Sequence, residues 1–164
     1  MPAKKNRTKT AVKRRPRAAA AADPLAGLDE VAAQYCNRIL SGGMARNLGI
    51  QIKSLAPREI VAQMPLKPRH MNHNGRVNGG AIMAFADLLG AVGAAMHRPP
   101  GYRGGTLESK TNFFGSGKGT LLVAVCIPLH VGRTTSVWQT TLQDAEGRAV
   151  AMVTQTQMAL PERA

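Results

Sequence analysis

The sequence predicts an α+β domain in which a curved antiparallel sheet of about six strands wraps around one long central helix. Three observations carry this. The run from about Gly79 to Met96 is apolar on nearly every side, so a helix there must be enclosed. Two short strand-like runs precede it and four follow, the later ones rich in Val, Thr and Leu and set off by glycine turns. A chain of 164 residues has room for one such domain with a real core, and too little for two comfortable ones.

The elements follow in order. Residues 1–17 carry Lys4, Lys5, Arg7, Lys9, Lys13, Arg14, Arg15 and Arg17 with no acid, a local +8. The formal charge of +13 is therefore mostly a tail property, since the rest of the chain holds 14 basic against 9 acidic residues. With few apolar anchors, residues 1–24 read as a disordered basic tail, and 25–164 as the folded domain. Three roles are open for the tail: a solvated extension, a weak polyanion-binding arm, or a transit peptide. It lacks the apolar segment of a secretory signal, so a cytoplasmic, reducing location is expected, or an organellar one if the tail is a transit peptide. Cys36 and Cys126 are then free thiols that pack rather than pair.

Leu28, Val31, Tyr35 and Ile39 share one face of a helix over 28–41, which Gly42-Gly43 ends. Two short strands flank a turn at Ala56-Pro57, and the loop 67–77 leads into the long helix. His97-Arg98 sit where cations favour the helix dipole, and Pro99-Pro100-Gly101 stop it. The runs 104–114, 120–130, 134–144 and 150–160 then read as a four-stranded meander turning at GSGKG, VGR and AEGR. An aromatic content of 4% predicts a core of aliphatics, Ala and Met. No membrane span is expected, because Asp87, Gly90 and Gly93 interrupt the longest apolar run.

Asp87 raises the functional question. A lone carboxylate between Phe85-Ala86 and Leu88-Leu89 is costly to bury unless it is paired or works. Both readings are open: a helix acid held by a neighbouring group, or a catalytic carboxylate. Gly79-Gly80 supply free N–H groups at the positive end of the same helix, and without side chains they admit a substrate carbonyl. Eight residues of helix separate Gly79 from Asp87, roughly 12 Å. One reacting carbonyl cannot reach both, so either one alone works or two subunits meet antiparallel across a two-fold axis and share the site.

The pattern N-x-x-G-x-x-N-G-G-x-x-x-x-x-A-D over Asn72–Asp87, followed by H-x-G-R-T at His130–Thr134, resembles the hotdog-fold acyl-CoA thioesterases of the PaaI-like group. The resemblance spans about residues 45–160. It implies hydrolysis of an acyl or aroyl thioester to a carboxylic acid and free coenzyme A, with no cofactor, in a homodimer or dimer of dimers. Carried over, Asp87 is the general base or nucleophile and the Gly79 N–H polarises the carbonyl. Asn72 helps orient water, as does Thr106 on a looser strand alignment. Asn78 departs from the pattern, since most members have His there; Asn hydrogen-bonds but does not titrate near neutrality. Gly80 and Asn78 flank the carbonyl, while Glu108 and Phe113 are weaker candidates for the pantetheine channel. His130, Val131, Gly132, Arg133 and Thr134 form the turn whose guanidinium suits a nucleotide phosphate. Arg133 has a plain alternative as an ordinary residue after a hairpin glycine.

His70 and His73 have H-x-x-H spacing without a completing Cys or acid, so no metal is expected. No G-x-S-x-G elbow is present. Two other function classes stay in view. One is a hotdog acyl-CoA-binding or regulatory module without turnover, which Asn78 keeps alive. The other is a nucleic-acid binder led by the tail, against which stands the lack of a recognition motif or stacking platform in the domain.

Overall fold

A computed structural model describes residues 23–162. Residues 1–22, almost all of the predicted tail, lie outside the described residues. Helix α1 (Glu30–Ser41) starts where the Asp29 carboxylate accepts the Ala32 N–H at 3.0 Å, and it buries Ala32 and Cys36. Gly42 ends it as expected, but Gly43 opens a second short helix, α2 (Gly43–Leu48), that the sequence reading did not include. Gly49, at φ 69°, closes α2 in the left-handed region that glycine occupies without strain. Strands β1 (Gln51–Ala56) and β2 (Glu59–Pro65) form the expected hairpin across Pro57-Arg58.

The long helix α3 spans Gly79–Met96, as predicted. Four strands follow: β3 (Tyr102–Phe113), β4 (Leu121–Val131), β5 (Thr135–Asp144) and β6 (Ala149–Pro161). All pair antiparallel in one six-stranded sheet ordered β1-β2-β4-β5-β6-β3. The expected α+β architecture, a six-stranded sheet packed on one central helix, is therefore present.

The expected four-stranded meander is not. Only β4, β5 and β6 follow one another; β3 lies on the far side of β6, and β2 takes the place beside β4. The physical reason is that residues 114–120 do not turn back but cross the strand ends. The Phe114 and Gly115 N–H groups donate to the Val150 carbonyl at 2.8 and 3.1 Å. The Lys118 N–H then donates to the Asp144 carboxylate at 3.3 Å, and the Leu66 N–H to the Thr120 carbonyl at 2.8 Å. The crossing delivers the chain to β2.

By length and composition alone α3 is long and apolar enough to cross a membrane, despite Asp87, Gly90 and Gly93. Here its apolar text has another use, because Ile82, Phe85, Ala86, Leu89, Val92 and Ala95 are buried in the core. That core is aliphatic, Ala and Met as expected, with Phe85 and Trp138 as its large aromatic members.

The two interior glycines of α3 explain how closely the sheet approaches. A Cβ on Gly93 would lie 2.6 Å from the Trp138 ring, and one on Gly90 would collide with the Gln155 amide. Glycine inside a helix costs about 1 kcal/mol relative to alanine, so these positions sacrifice propensity for contact. Replacing Gly93 with Ala should recover that propensity yet overpack a fully buried tryptophan, at about 1–3 kcal/mol. The expected net result is a lower Tm in a thermal melt; a higher Tm would mean that Trp138 has room to move.

Candidate active site

Asp87 lies halfway along α3, half-buried and facing the β6–β3 edge of the sheet. Two side chains hold it, and a third holds one of them. Thr106 on β3 donates its hydroxyl to Asp87 Oδ1 at 3.0 Å. Gln155 on β6 donates Nε2 to the same Oδ1 at 3.3 Å and to the Asp87 carbonyl at 3.1 Å. Gln157 Nε2 in turn donates to Thr106 Oγ1 at 2.9 Å. Because Gln157 occupies a lone pair of the hydroxyl, the Thr106 proton is directed at the carboxylate. Both donors converge on one oxygen, and Oδ2 accepts no hydrogen bond among the described residues.

Strand register explains why these side chains meet. Thr106 pairs with Gln157 and Ser109 with Gln155, so all four point to the α3 side of the sheet. A bulge between Thr106 and Glu108 inserts Leu107 and pairs Glu108 with Thr156 on the opposite face. Glu108 is thus turned away from Asp87. Gln155 and Gln157 are only 1% and 2% exposed, although glutamine is rarely so buried.

The other predicted residues fall into separate groups. Asn78 caps α3, its side-chain oxygen accepting the Gly80 N–H at 2.7 Å. Gly80 therefore spends its donor on the cap, and the Gly79 N–H has no hydrogen-bond partner among the described residues. Phe113, on the same sheet face as Thr106, lies over Gly79, where a Cβ would come within 3.2 Å of its ring. Asn72 organises its own loop instead of pointing to Asp87: its Oδ1 accepts the Asn74 and Arg76 N–H groups at 2.9 and 3.1 Å. His70 is a buried structural residue, its Nδ1 accepting the Lys67 N–H at 3.2 Å. Among the described residues no group of three or more His, Cys, Asp or Glu could hold a metal ion.

Gly132, Arg133 and Thr134 form the exposed β4–β5 turn after His130 and Val131, the exposed last residues of β4; a Gly132 N–H donation to the Thr135 carbonyl at 2.8 Å closes it. The Thr134 carbonyl accepts from Ala159 on β6 at 2.8 Å, and Ala159 pairs with Gly104 on β3. The turn accordingly sits at the sheet end nearest Thr106. Arg133 makes no ion pair among the described residues.

A cavity of about 350 Å³ opens beside Thr106 and Gln157, between α1, α3 and the start of β3. Cys36, buried on α1, has its thiol pushed up to about 11, because burial outweighs the pull of the nearby Arg98 charge. Cys126 is likewise pushed up to about 11 by burial, against a hydrogen bond to Thr140. Both are free, buried packing residues, not nucleophiles. Sequence reasoning missed Gln155, Gln157 and the cavity arginines. Two polar residues spaced i, i+2 after Val153, at inward positions of a core strand, were the available signal.

A six-stranded antiparallel sheet packed on one long helix is the hotdog architecture, and here the helix carries a lone carboxylate bonded to an amide and a hydroxyl. Residues 74–151 match the thioesterase superfamily, and the chain belongs to that family. It is 31% identical over 108 residues to the proofreading thioesterase EntH of Cronobacter turicensis, covering 65% of this chain and 78% of that one. It is 27% identical over 119 residues to the 1,4-dihydroxy-2-naphthoyl-CoA hydrolase of Escherichia coli, covering 73% and 88%. Among solved structures, a thioesterase family protein from Silicibacter pomeroyi superposes with a TM-score of 0.74 at 24% identity, covering 80% and 99%. A hypothetical thioesterase from Streptococcus pneumoniae, crystallised with coenzyme A, gives 0.61 at 26% identity, covering 70% and 88%. The protein is thus an enzyme of the thioesterase class.

Replacing Gln155 with Leu tests the network. The substitution removes a buried amide whose Oε1 has no partner, so stability should change little, by about 1 kcal/mol or less. Asp87 loses one of its two side-chain donors, and kcat for a thioester should fall about tenfold or more. Full retention of kcat in a folded variant would show that Gln155 only fills space.

Proposed function

We propose that this enzyme hydrolyses an acyl or aroyl thioester of coenzyme A, with Asp87 as general base or nucleophile and the oxyanion held by the Gly79 N–H of a second subunit. The observation that carries the reading is the oriented carboxylate, with Oδ1 fixed by Thr106 and Gln155 and Oδ2 open. As general base, Oδ2 takes a proton from water as the water oxygen attacks the thioester carbonyl carbon. The C–S bond then breaks, the thiolate of coenzyme A leaves, and the proton passes from Asp87 to sulfur. As nucleophile, Oδ2 attacks the same carbon and displaces the thiolate of coenzyme A to form a mixed anhydride; water then hydrolyses the anhydride to the free acid and the Asp87 carboxylate, and a proton passes to the thiolate.

The unpartnered Gly79 N–H is a suitable oxyanion donor at the positive end of α3. Within one chain it stands about 12 Å of helix rise from Asp87, too far for a shared carbonyl. A two-fold pairing of the β3 edges resolves this. That edge is twelve residues long, with Leu107 and Phe113 exposed beside it, and Met83 is exposed on α3. An uncovered edge of this length invites pairing with a copy of itself. Arg133, without an ion pair among the described residues and at the sheet end near Thr106, suits the phosphates of the nucleotide.

Two variants and two substrates test the reading, using release of free thiol as the signal. Asp87→Asn should lower kcat by roughly 10²–10⁴-fold on acyl-CoA while the melting curve stays in place. Arg133→Ala should raise KM for the coenzyme A ester and leave KM for the matching pantetheine ester near its original value. Near-normal turnover by Asp87→Asn would remove the catalytic assignment; equal effects of Arg133→Ala on both esters would make that residue structural.

A further inference from the structure

We infer that the cavity beside Asp87 receives the far end of an acyl chain that carries a carboxylate, so the preferred substrate is a monothioester of a dicarboxylic acid. This rests on the thioesterase reading above and narrows its acyl class. At about 350 Å³ the cavity falls at the small end of ligand sites, which run from roughly 300 to 1,000 Å³. Its wall includes Thr106, which donates to Asp87, and Gln157, which holds Thr106, so an acyl group whose carbonyl reaches Asp87 has this space ahead of it. On the α3 side the wall is Ala91 and Ala94, which leaves room for a methylene chain.

The charge on the remaining wall decides the chemistry. Arg38, Arg98 and Arg103 all line the cavity, and none forms an ion pair among the described residues. Glu162, the carboxylate on the same wall, is also unpaired. Arg98 is built into place. Its guanidinium carbon lies 3.7 Å from the centroid of the Tyr35 ring, and the Tyr35 hydroxyl is anchored by donating to the Tyr102 carbonyl at 3.3 Å. On the other side is Gly104, where a Cβ would collide with the Arg98 guanidinium. Arg98 Nε is buried and has no partner. A partly buried, pre-positioned guanidinium without a counter-ion favours an anion, and its planar fork matches a carboxylate. The same chemistry would accept a phosphate of coenzyme A, so the two sources must be separated.

The experiment compares kcat/KM of the full-length protein for glutaryl-CoA and pentanoyl-CoA, which have the same chain length and differ in the terminal charge. Wild type should prefer the glutaryl ester by about tenfold or more, the scale of one hydrogen-bonded charge. Arg98→Gln and Arg38→Gln should each shrink that ratio several-fold. Arg38 is exposed on α1, so its variant keeps the test decisive if Arg98→Gln proves unstable. The ratio should persist when both acyl groups are carried on pantetheine, which has no nucleotide phosphates. The proposal is overturned by a wild-type ratio near one, by ratios unmoved in both variants, or by a preference that vanishes with pantetheine esters. Turnover of neither ester would instead bring down the thioesterase reading, and this proposal with it.

Discussion

The closeness of α3 to the sheet is the constraint on which the rest of the molecule depends. At Gly90 and Gly93 there is no space for even a methyl group against Gln155 and Trp138. That contact lets a six-stranded sheet wrap a helix tightly enough to bury its apolar faces, and at Gly90 it has a second consequence. Only because position 90 lacks a side chain can the Gln155 amide lie flat against the helix and reach both the carbonyl and the carboxylate of Asp87, one turn earlier. The packing of the core and the aim of the Asp87 carboxylate are thus one arrangement. A larger residue at Gly90 would push away the amide that orients the acid.

On the proposed reading, the length of α3 divides the site. Its N-terminus offers an uncommitted N–H at Gly79, its middle offers the carboxylate, and the helix rise keeps the two apart. The β3 bulge contributes to the division by keeping Thr106 on the helix side while turning Glu108 to the other face. Asn78 accepts a bond from Gly80, which secures the helix start and leaves Gly79 as the free donor. Its part here is a helix cap, a role that needs no titratable group.

Much of this was legible in the sequence. The apolar run identified α3 with its observed limits, because proline and glycine stop it abruptly and its interior has no competing period. Asp87 stood out because charge is so rare in such a run, and Thr106 was placed by resemblance to within reach of it. The strand order was not legible, since GSGKG has the composition of a tight turn and its crossing path depends on hydrogen bonds to Val150 and Asp144, remote in sequence. Gln155 and Gln157 were overlooked because a polar strand residue normally faces solvent, and only the register with β3 turns them inward. The bonds by which Asn72 holds its own loop are local, but the motif position by itself gave no sign of them.

The claim at the centre of this account is that the catalytic carboxylate and the oxyanion donor act together only across two chains. Mixed dimers of Asp87→Asn with Gly79→Val test it most directly, once each variant is shown to fold and dimerise and heterodimers are confirmed by native mass spectrometry. Each parent lacks one component in both of its sites, whereas a heterodimer gathers both defects into one site and leaves the other intact. The account predicts that inactive parents regain up to about half of the wild-type activity per heterodimer. Confirmed heterodimers with no activity above the parents would contradict it.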